Sequence, residues 1–498
     1  MSNLIVRTKY GMLQGRMDRE ACAWLGIPYA KPPVERLRFA PPRPHESWDG
    51  VRDATAFGSA SLQETVGIGP VSEDCLFLNI WSPAPDGAKR PVMFYVHGGS
   101  FIAGSGNEDL YYGNTLAMKG DVVVVTINYR LGVLGFLDLS FLGPDFCANC
   151  GLRDVVLALE WVHENIQAFG GDPENITVFG QSAGGTITAT LATMPSAKPY
   201  ISKCIVMSGG PTHLQPKEEA YQAAQKYMEF MGAKTAEELY ALPAHKIISR
   251  EKEFTRHCRL GSGTFRLTVD YDLVPEFPIP AAVRGAASGI PLLIGTTKQE
   301  LSMLFVGPVA KVLDIMEFIK EYLLRENDEL RRVMVQTYKR LFKGRIAQIM
   351  LFSDLIFRVG CVWFAKECSR YANVWMYRFD FETAAMKVSR LATFHSSDLP
   401  FVFGNFKTLM ANLMLLFSPS RKKARNVSDQ MQSDFVAFAR SGRLEWSPCG
   451  AEEAPAKCYN LKTTVEPVVH PDILKQYDKT VFKQTCFQNS EQLKKTSA

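Results

Sequence analysis

The stretch VFGQSAGG, residues 178–185, carries the residue types most able to do chemistry. Ser182 stands in Gly180-Gln181-Ser182-Ala183-Gly184, a GxSxG pattern that follows an apolar run and precedes residues of helical character. A serine hydroxyl is a poor nucleophile until a base removes its proton. A strand turning sharply into a helix lifts such a serine above the sheet edge, and flanking glycines allow a backbone approach that larger side chains would block. The same turn leaves the Ala183 amide at the helix start, available to a developing oxyanion. A serine in any tight strand-to-helix turn gives this pattern too, so a base and an acid must be sought elsewhere.

The chain has eight histidines: His45, His97, His163, His213, His245, His257, His395 and His470. His97 sits in HGG directly after a strand-like run, where Gly98 and Gly99 can turn their amides to an oxyanion. His97 itself then reads as structural. His163 falls within an amphipathic helix and reads as solvated. His395, in ATFHSSDLPFVFG after the strand-like VWMYRF, is the best base by placement, with His213 and His257 open on composition alone. A carboxylate that orients the base should lie between serine and histidine in chain order. Glu300 in LLIGTTKQEL meets that condition, as do Asp270 and Asp272, and Asp398 is a further rival.

These residues need a scaffold. PVMFYVHGG (91–99), DVVVVTINY (121–129), NITVFGQS (175–182), ISKCIVMSGG (201–210), IPLLIGTT (290–297) and VWMYRF (374–379) read as buried strands. GLRDVVLALEWVHENIQAFGG (151–171) has Val155, Leu159, Val162 and Ile166 at helical spacing and ends on a glycine pair. AGGTITATLATMP reads as a helix stopped by Pro195. Strands alternating with helices predict an α/β fold with a mostly parallel, doubly wound central sheet flanked by helices. Two helical insertions, about 211–260 and 305–370, interrupt the alternation as lid-like elements over the site, within a single domain spanning 1–498. Ligands in such sheets bind beyond the carboxyl ends of the strands.

Composition excludes several classes. Hydrophobic residues make up 46%, charged residues 21%, and the formal charge of +5 is spread along the chain. Nucleic-acid binding needs a concentrated basic face, so none is expected. The N-terminal MSNLIVRTKYGMLQGRMDRE has no apolar core behind a basic start, and no run reaches the roughly 18 apolar residues of a membrane helix. LMANLMLLF (409–417) is too short for one and reads as a buried helix or part of a lid. The eleven cysteines do not form a disulfide framework, and the lone CxxC of Cys147 and Cys150 has no second pair to complete a zinc site. The expectation is free thiols in a reducing cytoplasm, with no metal and no cofactor.

Along most of its length the chain resembles the type-B carboxylesterase family, most closely its bacterial para-nitrobenzyl-esterase branch. The likeness rests on GIPYAKPPVERLRFAPP (26–42), EDCLFLNIWSP (73–83), VMFYVHGGSF (92–101), NYRLGVLGF (128–136), residues 151–185, IGTTKQE (294–300), HSSDLPFVFG (395–404) and FARSG (438–442). It implies an α/β-hydrolase fold, Ser182 as nucleophile, Glu300 as acid, His395 as general base, and an oxyanion hole made by the amides of Gly98, Gly99 and Ala183. The implied reaction is hydrolysis of carboxylic esters through an acyl-enzyme, with a small-molecule ester as the only partner and no stated oligomeric state. Relatives usually carry Glu where Gln181 stands; Gln has the same reach without the charge, which suits a supporting residue. Secreted relatives bond the cysteine of EDC to one upstream, but no cysteine lies between Cys22 and Cys75. Cys150 replaces a proline common in relatives.

LSMLFVGPV (301–309) and FVFGNFKTLMANLMLLF (401–417) would supply a pocket for apolar, small to medium acyl or alkoxy groups. The same residues could cleave an amide or a carbamate. A noncatalytic binding protein of this fold would have lost its triad, whereas serine, acid, base and HGG are all present here. A lipase acting at lipid surfaces fits the cytoplasmic signs less well.

Overall fold

The computed structural model describes residues 4–65, 67–257, 264–306, 328–416 and 420–487. The chain forms two compact units, one of Met1–Lys203 with His213–Pro275 and one of Cys204–Thr212 with Glu276–Ala498.

In the first unit the main sheet contains β1 (Arg16–Asp18), β2 (Ala21–Pro28), β3 (Phe77–Ser82), β4 (Arg90–Val96), β5 (Val123–Ile127) and β6 (Gly171–Gln181), in the order β6-β4-β5-β3-β2-β1. β5 and β6 pair in parallel with β4, while β3, β2 and β1 add antiparallel. Val122 to Val125 have no exposed surface, as expected of a β-branched run in a strand covered on both faces. The helix Cys150–Asn165 buries Val155, Leu159 and Val162, and after one more turn Gly170, at φ 84°, ends the run in the left-handed region. Ala183–Leu191 is a wholly buried helix despite its threonines. The Thr188 and Thr190 hydroxyls donate to the carbonyls of Gly184 and Thr186, each at 2.8 Å, so these hydroxyls are hydrogen-bonded inside the helix.

The 211–260 segment opens on a two-residue strand, Gln215–Pro216, and is then mainly helical where described: Lys217–Met231, Ala236–Ala241, Ala244–Ser249 and Glu251–His257. Glu251, at the start of the last, is buried, and its carboxyl accepts from the Val133 amide at 2.7 Å. Burial, helped by the charge of Glu64 and opposed by the Val133 bond, pushes its pKa from 4.5 to about 8. The folded state therefore keeps a proton that the unfolded chain gives up. The stabilisation from that proton is complete below about pH 4.5 and is lost as the pH rises through about 8. Thermal melts should show the Glu251→Gln variant matching wild type near pH 5 and melting at a higher temperature near pH 9. A wild-type Tm that falls no faster than the variant's between those values would contradict a protonated Glu251.

The sheet of the second unit contains β7 (Lys203–Met207, from Cys204 onward), β8 (Leu292–Thr297), β9 (Val374–Phe379), β10 (Pro455–Tyr459) and β11 (Thr464–Pro467), in the order β11-β10-β9-β8-β7. All its pairings are parallel except β10 with β11. The helical segment expected over 305–370 contains Asp328–Leu341 and a continuous helix Arg345–Cys368; its residues 307–327 lie outside the described residues.

That second helix corrects the expectation that no segment could cross a membrane. Its 24 residues are long and apolar enough by length and composition, and it is the one such helix among the described residues. Asp354 and Arg358 break the apolar run to the eye, yet they bind each other within it, and 89% of the most apolar window is buried inside the protein. The apolar length serves a core. The helix Leu409–Met414 departs from the buried-helix alternative of its reading. It buries Ala411 and Met414 but leaves Leu409 76% and Leu413 55% exposed, so it is only half-buried.

Candidate active site

β6 and β4 run in parallel with Gly180 opposite Val96, which brings Gln181 and Ser182 out beside His97, Gly98 and Gly99. Ser182 joins strand to helix at φ 58° and ψ −122°, a sparsely populated conformation for a residue with a side chain. Gly98 packs directly on this elbow: a methyl group there would lie 2.6 Å from the Gln181 carbonyl oxygen and 3.0 Å from the Ser182 Cβ. Only glycine permits that approach.

The HGG backbone is held by its carbonyls. The Gly98 carbonyl accepts from His97 Nδ1 at 2.7 Å, and the Gly99 carbonyl accepts from the amides of Ile102 and Ala103 at 3.1 and 3.0 Å. Within one trans peptide the C=O and N–H point opposite ways, so fixing the Gly98 carbonyl on the His97 ring turns the Gly99 amide away from it. The His97 ring is buried and stacks on Tyr129, with centroids 4.4 Å apart. Burial lowers its pKa to about 4, so it is neutral at pH 7. It is a structural prop, as the sequence predicted. Gln181 is buried at the end of β6, with its side-chain oxygen against Gly98.

In the second unit, Glu300 and His395 are joined. His395 Nδ1 lies 2.6 Å from one carboxylate oxygen of Glu300. The other oxygen accepts from the Ser208 hydroxyl and from the Thr297 amide, both at 2.7 Å. Two backbone bonds align the segments that carry the pair: Gln299 N–H to the Thr393 carbonyl at 3.2 Å, and His395 N–H to the Glu300 carbonyl at 2.9 Å. Glu300 is fully buried, which by itself would raise its pKa. The bond and charge of His395, then the bonds from Ser208 and Thr297, together outweigh burial and hold the carboxyl below its ordinary value. It is ionised at neutral pH.

His395 stacks on Phe357, with centroids 4.6 Å apart and ring planes 26° from parallel. Phe357 projects from a single π-helical turn, Asp354–Arg358, inside the long helix. Such turns recur at functional sites because the extra residue redirects a side chain. Arg358 in the same turn donates to the Lys298 carbonyl at 2.5 Å, bracing the segment that leads to Glu300.

The rivals have other partners. Asp270 accepts from the Asn149 side chain at 2.9 Å and from the Val274 amide at 2.8 Å, and Asp272 pairs with Arg153 at 2.6 Å. Asp398 accepts from the Tyr377 hydroxyl at 3.0 Å; burial and then the Glu300 charge push its pKa to about 6. His163 is less solvated than expected, since it packs edge-on against Tyr200 at 5.5 Å. The side chain of His257 lies outside the described residues. Ser208, Thr297 and Phe357 were not singled out in the sequence. The only signal was a serine closing a buried strand, ahead of two glycines.

A strand-to-helix elbow against a glycine-rich loop in the first unit, and in the second a buried carboxylate–imidazole pair following later strands, accompany the mixed, helix-flanked sheet of an α/β-hydrolase fold. The solved structure of a para-nitrobenzyl esterase superposes with a TM-score of 0.84 at 35% identity, covering 95% of this chain and 100% of that one. The model of the carboxylesterase family matches residues 2–481, and the chain belongs to that family of carboxylic-ester hydrolases. Among its relatives, the para-nitrobenzyl esterase of Bacillus subtilis (strain 168) is 38% identical over 94% of this chain and 96% of its own length. The fumonisin B1 esterase of Sphingopyxis macrogoltabida is 34% identical, over 88% of this chain and 82% of its own.

Proposed function

We propose that Ser182, Glu300 and His395 form the catalytic triad of a carboxylesterase acting on esters with apolar, small to medium acyl or alkoxy groups. Ser182 attacks the ester carbonyl while His395 takes its proton. The amides of Gly98, Gly99 and Ala183 hold the oxyanion, and His395 then protonates the leaving alcohol. Water repeats the sequence on the acyl-enzyme. The observation that carries this reading is the bond between His395 and the buried, ionised Glu300, because an imidazole held by its Nδ1 keeps Nε2 available as a base. The whole chain acts as one catalytic domain in this reading, supported by a family match across residues 2–481. A cytoplasmic location is supported by the free thiols of the ten described cysteines.

The test is hydrolysis of para-nitrophenyl esters of rising acyl length, alongside the matching anilides and carbamates. Saturable turnover of short and medium esters is expected, falling with longer chains. Turnover of anilides or carbamates above that of esters would replace the ester reading by an amidase or carbamate-hydrolase one. An inert enzyme would overturn it.

Gln181 takes the part of an uncharged prop between the elbow and HGG. Gln181→Glu preserves its shape and should change kcat/KM on these esters by less than about a hundredfold, or about 2.7 kcal/mol. A larger change would give residue 181 a direct part in the reaction.

A further inference from the structure

The CxxC motif has no part in ester hydrolysis, yet it is built as a pair. Cys147 Sγ and Cys150 Sγ lie 3.3 Å apart. Cys150 opens the helix Cys150–Asn165, and Asn149 ahead of it takes the left-handed region at φ 56°. The segment is pinned on both sides. The Cys147 amide and the Cys150 thiol both approach the Phe39 carbonyl, at 3.4 Å each, and the Asn149 side chain donates to the Thr268 carbonyl at 2.8 Å. Both cysteines are buried, at 7% and 2% exposure. Only a small oxidant reaches such sulfurs.

Their chemistry is asymmetric. Either sulfur can donate to the other; the bond from Cys147 lowers the Cys150 pKa against the effect of burial, with the Arg130 guanidinium adding to it. Cys147 is pushed up, by that same bond and then by burial. A thiolate at the start of a helix and beside an arginine is the form that reacts with peroxide.

We propose that Cys147 and Cys150 are a reversible redox site that closes to an intramolecular disulfide when hydrogen peroxide oxidises the pair. Cys150 sulfur attacks one peroxide oxygen; the S–O bond forms as the O–O bond breaks, and the departing hydroxide takes up the proton given up by the Cys150 thiol and leaves as water. The resulting sulfenic acid is attacked by Cys147 sulfur, the S–S bond forms, and the oxygen departs as a second water carrying the Cys147 proton. Two thiols and one peroxide become one disulfide and two waters, and two electrons pass from sulfur to oxygen. The sulfurs need only close from 3.3 Å to about 2.0 Å. An added dithiol restores both thiols by exchange. The bond ties the loop before Cys150 to the first turn of the helix that holds Asp154, the buried partner of Arg130.

Trypsin cutting after Arg130 and Arg153 releases residues 131–153, whose only cysteines are Cys147 and Cys150. The full-length enzyme is treated with peroxide, alkylated, digested and weighed by mass spectrometry. The expected peptide is two hydrogens lighter than the reduced one and unalkylated, and dithiothreitol before alkylation restores two alkylated cysteines. Cys147→Ser and Cys150→Ser should each abolish the two-hydrogen loss. The wild-type measurement stands by itself if either variant fails to fold. Recovery of the peptide alkylated at both positions, at peroxide doses that begin to oxidise methionine, would overturn the proposal. Sulfinic acid on one cysteine, or a bond to a different peptide, would overturn it equally.

Discussion

Ser182→Ala should lower kcat/KM on para-nitrophenyl butyrate by about 10⁵-fold or more while leaving the Tm within a degree or two of wild type. The backbone at residue 182 is strained, with φ 58° and ψ −122°, but alanine carries the same Cβ and meets the same strain. Its carbonyl still accepts from the Thr186 amide at 2.9 Å, so the helix start survives. What is lost is one oxygen, and with it the acyl-enzyme. The proposed oxyanion donors and substrate binding remain, and in serine hydrolases such groups alone keep about 10³- to 10⁴-fold acceleration over water. The variant should therefore bind the ester with a similar Kd and turn it over slowly, without a burst of para-nitrophenol. Residual activity above about one hundredth of wild type, measured on protein free of wild-type contamination, would mean that another group makes the first attack.

The central strands were legible because each is an apolar run closed by glycine or a polar turn. Val122 to Val125 in the first unit and Leu292 to Ile294 in the second show this most plainly. β2 was not. Its ACAWLGIP has no alternation and contains Gly26 and Pro28, which count against a strand. The structure accommodates them with a register shift between Trp24 and Ile27, where Gly26 takes φ 66°. β11 is equally silent, since Thr464–Pro467 is exposed throughout and pairs only at the sheet edge.

The site divides in the same way. Ser182 and HGG are local patterns, so their geometry follows from a few adjacent residues. Glu300 is distinguished from Asp270, Asp272 and Asp398 only by contacts reaching far along the chain. Its bond to His395 spans 95 residues and its bond to Ser208 spans 92. No spacing rule encodes such pairs, and the family resemblance supplied what pattern could not. The stack of Phe357 on His395 was out of reach for a further reason: it depends on a π-helical turn that redirects one residue of an otherwise regular helix.

Glu300→Gln should cost about 10⁴-fold in kcat at neutral pH, or about 5 kcal/mol of transition-state stabilisation, with little change in fold. The argument turns on which way the new amide must face. The Thr297 N–H, at 2.7 Å, can only donate, so the amide oxygen must take the position of the carboxylate oxygen it meets. The NH₂ group then occupies the other position, 2.6 Å from His395 Nδ1. A donor there obliges Nδ1 to accept, which moves the ring proton to Nε2. A protonated Nε2 cannot take the proton of the serine. The Ser208 hydroxyl can turn to suit either arrangement, but the backbone amide cannot, and it decides the outcome. Glu300→Asp keeps the charge and shortens the reach, so it should lose less activity than Glu300→Gln. Nuclear magnetic resonance of the His395 ring should show the proton on Nδ1 in wild type and on Nε2 in the Gln variant. A Gln variant within tenfold of wild type would remove Glu300 from the triad. Asp398→Asn would then be the next variant to assay, since Asp398 is a buried carboxyl close enough to feel the charges of both Glu300 and His395.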